Sequence, residues 1–305
     1  MNFRLSSSST PYEDIMKRIA PSSDPSGQSF KTQRTNQIAE LDMRIDDIWK
    51  TIFSHTSLDE LITLRFTCKQ FLHISNEVIR EKICNELTFG KQQWEKYYGD
   101  IGDPPPLPPN IEVLLNSSCP FWSDKKVKDT HLLVLIPETI NGKPFTLNFL
   151  KELIRKPKVG LKTKFKNFDD NLITELGNQS TLSHWVLMTR DVIPNSRDKT
   201  YAEKKKYLAT YAQSGQPYEL PTVIEAVTCI LMEYVQTSKQ LYNELYPATY
   251  TVCQERDCQS YVITGGFSAK GIDILPLCDE EMEEIEESIG AGGVLTFSSK
   301  KDTIR

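Results

Sequence analysis

Apolar and polar positions divide the chain into stretches of different texture. Ile45, Ile48, Trp49, Ile52 and Phe53 stand at i, i+3, i+4, i+7 and i+8. That spacing predicts one face of a helix. His55-Thr56 interrupts it. Ser57-Leu-Asp-Glu60 then has the order of a capping box, in which the Ser57 hydroxyl accepts from the Glu60 N–H and Glu60 reaches back to the Ser57 N–H. A second helix follows, with Leu58, Leu61, Ile62, Leu64, Phe66, Cys68, Phe71, Leu72 and Ile74. These positions cover more than one stripe. A helical hairpin of roughly 35 residues has little room to bury them all. The surplus meets either the next helix, Val78 to Leu87, or another protein.

Further on the texture is mixed. His131 to Pro137 and Trp185 to Thr189 are short apolar runs that predict strands buried on both faces. Asn141-Gly142 predicts a tight turn. Thr146 caps a helix with Leu147, Leu150, Leu153 and Ile154 inside. Lys199 to Ala212 reads as a polar helix, with Lys204-Lys205-Lys206 on its solvated side. Pro221 begins another, with Val223, Ile224, Val227, Leu231, Tyr234 and Val235 inside, running on to Leu245. Tyr250 to Gln254 and Ser260 to Thr264 predict a hairpin ended by Gly265-Gly266, and Gly271 to Leu275 a last strand. Strands and helices mix without regular alternation, so the fold class is α+β.

Polar stretches set the expected domains. Residues 1–37, rich in Ser and Thr, bury too little to offset their ordering entropy and read as disordered. Residues 38–100 form the helical module. Pro104 to Pro109 holds five prolines in six positions, so residues 101–118 read as a semi-rigid linker. Residues 119–277 form the α+β domain, and 278–305 an acidic, Gly-containing flexible tail.

Charge sharpens this division. The 305 residues carry 36 bases and 41 acids, a net −5. Seven of the acids lie in Asp279 to Glu287, and without them the bases outnumber the acids by two. A near-neutral body argues against a nucleic-acid partner. No apolar run reaches the roughly 18 residues of a membrane span, and no h-region marks a secretory signal, so no membrane partner is expected. Seven cysteines without a close-set array suit a reducing, cytoplasmic setting.

The stretch from Ile45 to Ser75 resembles the F-box family. That pattern has an acidic first helix with an aliphatic seam, a short break, and a second helix matched here by Glu60-Leu61, Leu64-Arg65, Cys68-Lys69 and Phe71. Where the family opens with Leu-Pro, this chain has Arg44-Ile45. The resemblance implies docking to a Skp-type adaptor of a cullin–RING ubiquitin ligase, with the rest of the chain presenting a protein substrate. Ile45, Ile48, Trp49, Ile52, Leu58, Leu61, Leu64 and Cys68 are the expected adaptor-facing residues; the alternative is an internal three-helix core. Phe89 to Gly102, Cys119 to Ser123, Thr130 to Pro137 and Trp185 to Pro194 are similar to a group of proteins from chlamydia-like endosymbionts of amoebae. That likeness implies a bacterial effector, exported by a type III route into a host cytoplasm.

Other chemistry finds less support. Cys253 and Cys258 are one loose pair, short of the four ligands of structural zinc, so no metal and no cofactor is expected. No nucleophile signature surrounds any cysteine, so no catalytic residue is assigned. The alternative is a small thiol-hydrolase-like enzyme in 119–277 with a helical cap, which needs a thiol within reach of His131 or His184. Arg190-Asp191 and Arg197-Asp198 read as local ion pairs. Gly265-Gly266 is no phosphate loop.

Overall fold

A computed structural model describes residues 46–58, 60–61, 69–213, 215–245, 247–256, 260–278 and 286–297, with 69–73 and 286 described by their backbone alone. The expected disordered start therefore lies outside the described residues. By its contacts the chain forms two compact units, Met1–Ser57 and Leu58–Arg305.

In the first unit, helix α1 spans 46–55. The Thr51 hydroxyl donates to the Asp47 carbonyl at 2.9 Å and the Ser54 hydroxyl to the Thr51 carbonyl at 2.7 Å. Thr56 closes the helix, its hydroxyl on the Ile52 carbonyl at 3.0 Å. The break at His55-Thr56 is thus where the apolar spacing lapses, and helical backbone resumes at residue 58.

In the second unit, helix α2 (Lys69–Lys82) runs into a π-helical turn, Ile83–Leu87. Strand β1 (Thr88–Phe89) and helix α3 (Lys91–Tyr97) follow. After the proline run come α4 (Ile111–Asn116), α5 (Val127–Thr130), β2 (His131–Ile136), β3 (Thr139–Ile140) and β4 (Lys143–Pro144). Then come α6 (Leu147–Leu153), β5 (Phe165–Phe168), α7 (Asp170–Leu176), β6 (His184–Thr189) and α8 (Tyr201–Ala209). A small ribbon, β7 (Ala212–Gln213) and β8 (Gln216–Pro217), precedes the long helix α9 (Val223–Thr237). The chain ends in β9 (Tyr250–Arg256), β10 (Ser260–Ser268), β11 (Gly271–Cys278), β12 (Ile289–Gly290) and β13 (Val294–Phe297).

The main strands make two sheets, in the orders β1-β2-β6-β13 and β12-β9-β10-β11-β5. β2 and β6 are antiparallel and buried along their whole lengths, as continuous apolar runs require. Helix α9 touches both sheets. Eleven of its fifteen residues are buried, so it is apolar nearly all round, as a helix between two layers must be. The α+β class and the Thr146 cap hold as expected, whereas Pro221 stands just before the Thr222 cap of α9 rather than in its first turn. Thr146 accepts from the Phe149 N–H at 3.2 Å, and Asn141 and Gly142 both take the left-handed conformation of a tight turn.

Several expected boundaries move. Thr88–Phe89, assigned to the helical module, is a strand parallel to β2. Trp94 is fully buried and donates its indole N–H to the Leu135 carbonyl at 2.8 Å. The proline run is not a free linker. Leu107 is buried, and the Trp185 indole N–H donates to the Pro105 carbonyl at 3.0 Å. The expected flexible tail supplies two strands, and Val294 and Leu295 are buried beside β6. Their apolar run, Val294 to Phe297, follows closely on the acidic block and so carries little signal of its own.

Helix α9 stops at Thr237, where Ser238 turns left-handed, short of the expected Leu245. The turn lets Tyr242 pass inward, its hydroxyl donating to the Thr189 carbonyl at 3.0 Å. β10 runs through Gly265-Gly266 to Ser268 with an irregular register. Gly265 passes so close to β9 that an added Cβ would lie 2.3 Å from the Thr249 carbonyl oxygen.

Candidate functional site: an apolar helix face and a carboxylate-lined groove

The α1 seam splits into two faces. Ile48 is 58% exposed and Ile52 46% exposed, one turn apart. Trp49 is half-buried and Phe53 buried, their rings 5.7 Å apart and tilted. Two large aliphatic side chains thus stand together in water at i and i+4. Of the other expected adaptor-facing residues, Leu58 is half-buried. Leu61 is fully buried. Ile45, Leu64 and Cys68 lie outside the described residues.

The charged groups of the second unit are arranged around α9. Its buried Glu225 and Glu233 stand near its two ends. Each meets a cation at one end of β6. His184 Nε2 lies 3.0 Å from Glu225 Oε1, and Arg190 Nη1 bonds Glu233 Oε1. The local Arg190-Asp191 pair is therefore corrected: Asp191 instead accepts from the Val192 N–H, and Arg190 Nε donates to the His131 carbonyl at 3.1 Å. Arg197 likewise donates to the Glu287 carbonyl and to Thr249 Oγ1, not to Asp198. Lys204, expected on a solvated face, is buried and donates to the Lys199 carbonyl.

Burial alone would hold His184 neutral. Hydrogen bonds to Glu225 and to the Leu182 carbonyl, with the Glu225 charge, outweigh it and keep the imidazole protonated above its usual range. Burial raises Glu225 less than the His184 and Thr222 bonds lower it, so it stays ionised. Glu255 differs. Burial pushes its carboxyl up to about 7, against the pull of the Val223 N–H, which donates to both its oxygens at 2.9 and 3.0 Å.

The thiol-enzyme alternative meets a geometric obstacle. His131 Nδ1 lies 2.9 Å from Thr130 Oγ1 and Nε2 3.1 Å from the Tyr218 hydroxyl. Burial, aided by the Arg190 charge, lowers His131 to about 3. His184 has both nitrogens on Leu182 and Glu225. Among the described residues neither imidazole hydrogen-bonds a thiol. Burial also holds the Cys229 and Cys253 thiols well above their usual range, which makes poor nucleophiles. No three described His, Cys, Asp or Glu residues converge as a metal site. No helix among the described residues is long and apolar enough to cross a membrane.

Below His184 opens a groove of about 940 Å³. Asp103 to Pro106 and Ser180 to His184 line it, with Glu138, Glu219, Thr222, Glu225, Gln254 and Thr296. The Thr222-x-x-Glu225 capping box that starts α9 was legible in sequence as a helix start, though not as part of a cavity. The pairing of Glu225 with His184, 41 residues earlier, left no local signal.

The F-box domain family matches residues 46–82. F-box domains bind Skp-type adaptors of cullin–RING ligases and are typically non-enzymatic. No curated protein and no solved structure matches the chain.

Proposed function

We propose that this protein is an adaptor. Its F-box segment docks a Skp-type subunit of a cullin–RING ubiquitin ligase, and the α+β body presents a protein substrate. The observation that carries this reading is the exposed pair Ile48 and Ile52 on α1, inside the F-box match. Aliphatic side chains standing in water gain about 1.5–3 kcal/mol each when a partner covers them. The mechanism is proximity: a charged conjugating enzyme is brought to a bound substrate, and the effective concentration does the rest. No residue of this chain has to touch the reacting atoms.

The test is capture of a purified Skp-type adaptor by the full chain. Ile48→Asp with Ile52→Asp is expected to weaken capture by about 100-fold or more, because two buried contacts become desolvated charges. Both positions are exposed, so circular dichroism and melting should stay near wild type. Equal capture by wild type and variant, or none by either, overturns the reading.

The proposal extends to a bacterial effector delivered to a eukaryotic host cytoplasm by type III export. Its support is the resemblance of Phe89 to Gly102 and Trp185 to Pro194 to proteins of chlamydia-like endosymbionts, together with the Ser-rich N-terminus. Failure of the first 37 residues to direct a reporter through a type III apparatus would remove this extension.

A further inference from the structure

Among the described residues, strand β13 has an uncovered outer edge at Thr296, which lines the groove. Its backbone bonds fix the direction in which each residue faces. The Gly293 carbonyl accepts from the Thr189 N–H at 2.9 Å, on the side of β6. Val294 faces the other way, exchanging bonds of 2.9 and 3.0 Å with Glu219. Antiparallel alternation then turns the N–H and C=O of Thr296 outward as well. The Glu219 bridge covers Val294 alone among the described residues of that edge. Thr296 is exposed and lines the groove.

The walls suit an extended guest. Pro104 to Pro106 line the groove, anchored by the Trp185 indole on Pro105. Prolines there offer no backbone N–H to the β13 edge. Leu182, 60% exposed, also lines the groove. Charge decides what the guest carries. Asp103, Glu138, Glu219 and Glu225 line the groove, with no lysine or arginine among the lining residues. Glu225 is matched by His184, and Asp103 lies 3.7 Å from Lys91. Glu138 and Glu219 are exposed.

We propose that this groove binds an extended polypeptide segment bearing lysine or arginine side chains, laid as an added strand on the outer edge of β13. Main-chain bonds to Thr296 hold the segment, and its basic side chains meet Glu138 and Glu219. The inference rests on the adaptor reading only in taking that segment to be the substrate; the binding itself does not depend on it.

The experiment is fluorescence anisotropy on the full chain with labelled alternating Thr-Lys and Thr-Glu peptides of about eight residues. The Thr-Lys peptide is expected to bind saturably and to weaken with salt, while the Thr-Glu peptide does not bind. N-methylation of alternate peptide nitrogens, which needs no change in the protein, should cost about tenfold. Glu138→Gln with Glu219→Gln should cost a similar factor, as should Thr296→Pro, which removes the outward N–H. No binding, equal binding of the two peptides, or indifference to both N-methylation and Thr296→Pro overturns the proposal. Much tighter binding by a chain ending at Phe297 would assign the edge to the protein's own Lys300, Lys301 and Arg305, and also overturns it. Adaptor capture reads the F-box reading separately, so either can fail alone.

Discussion

Single residues of the body carry its pH response. Glu255 titrates at about 7 because burial disfavours its carboxylate. In the unfolded chain a glutamate loses its proton near about 4.3. Between those values the folded chain holds a proton that the unfolded chain has lost. The stabilising contribution is therefore complete below about 4.3 and is lost as pH rises through about 7. Glu255→Gln keeps an oxygen facing the Val223 N–H and cannot ionise. It should gain stability relative to wild type between about pH 5 and about pH 8, as melting temperatures would show. His184, held above its usual range, loses stabilisation in the same direction, so the profile flattens without becoming level. An unchanged gap between variant and wild type across that range would remove Glu255 as a source. None of this was legible in the sequence, where Glu255 is one acid beside Arg256 in a hairpin. Its raised proton affinity comes from burial, and the Val223 N–H, 32 residues away in the chain, pulls the other way. The exposed Ile48 and Ile52, by contrast, were legible, because helical spacing alone puts them one turn apart.

At the scale of elements, α9 and β6 are fixed end to end. Glu225 meets His184 at the start of each, and Glu233 meets Arg190 at the finish of each. The two elements therefore run in the same direction. A slide of one helical turn would leave both carboxylates without their cations, so the pairs act on register. Glu233→Ala leaves the Arg190 guanidinium, whose side chain is 32% exposed, without its carboxylate. The expected cost is about 2 kcal/mol in urea unfolding, below the 3–5 kcal/mol of a fully buried pair. Glu233→Leu combined with Arg190→Met should recover most of that loss, because no unpaired charge remains. A double variant less stable than Glu233→Ala would show that the pair contributes more than relief of desolvation. The apolar pattern placed β6 closely but carried α9 on to Leu245, past its end at Thr237. It missed their coupling because Asp191 sits next to Arg190 in sequence and offered a simpler partner.

For the molecule as a whole, chain order and spatial order disagree. β1 reaches the first sheet from before the proline run, and β13 reaches it from beyond the acidic block. Reading domains as consecutive blocks could not recover this, since pairing between distant strands leaves no local mark. Removal of residues 286–305 should therefore expose the outer edge of β6 and lower the melting temperature by more than about 10 °C, or abolish a cooperative transition. A shift of only a few degrees would mean that the last strands are ornaments on an already complete fold. The same arrangement has a consequence during synthesis. A ribosome delivers about 5–20 residues per second, so the edges of β6 and β9 that β13 and β12 will cover are made seconds before their partners. For that interval the nascent chain displays two unpaired strand edges, a target for chaperones or for a neighbouring nascent chain. The yield of this protein in a cell should then depend on how quickly the codons between β9 and β13 are translated.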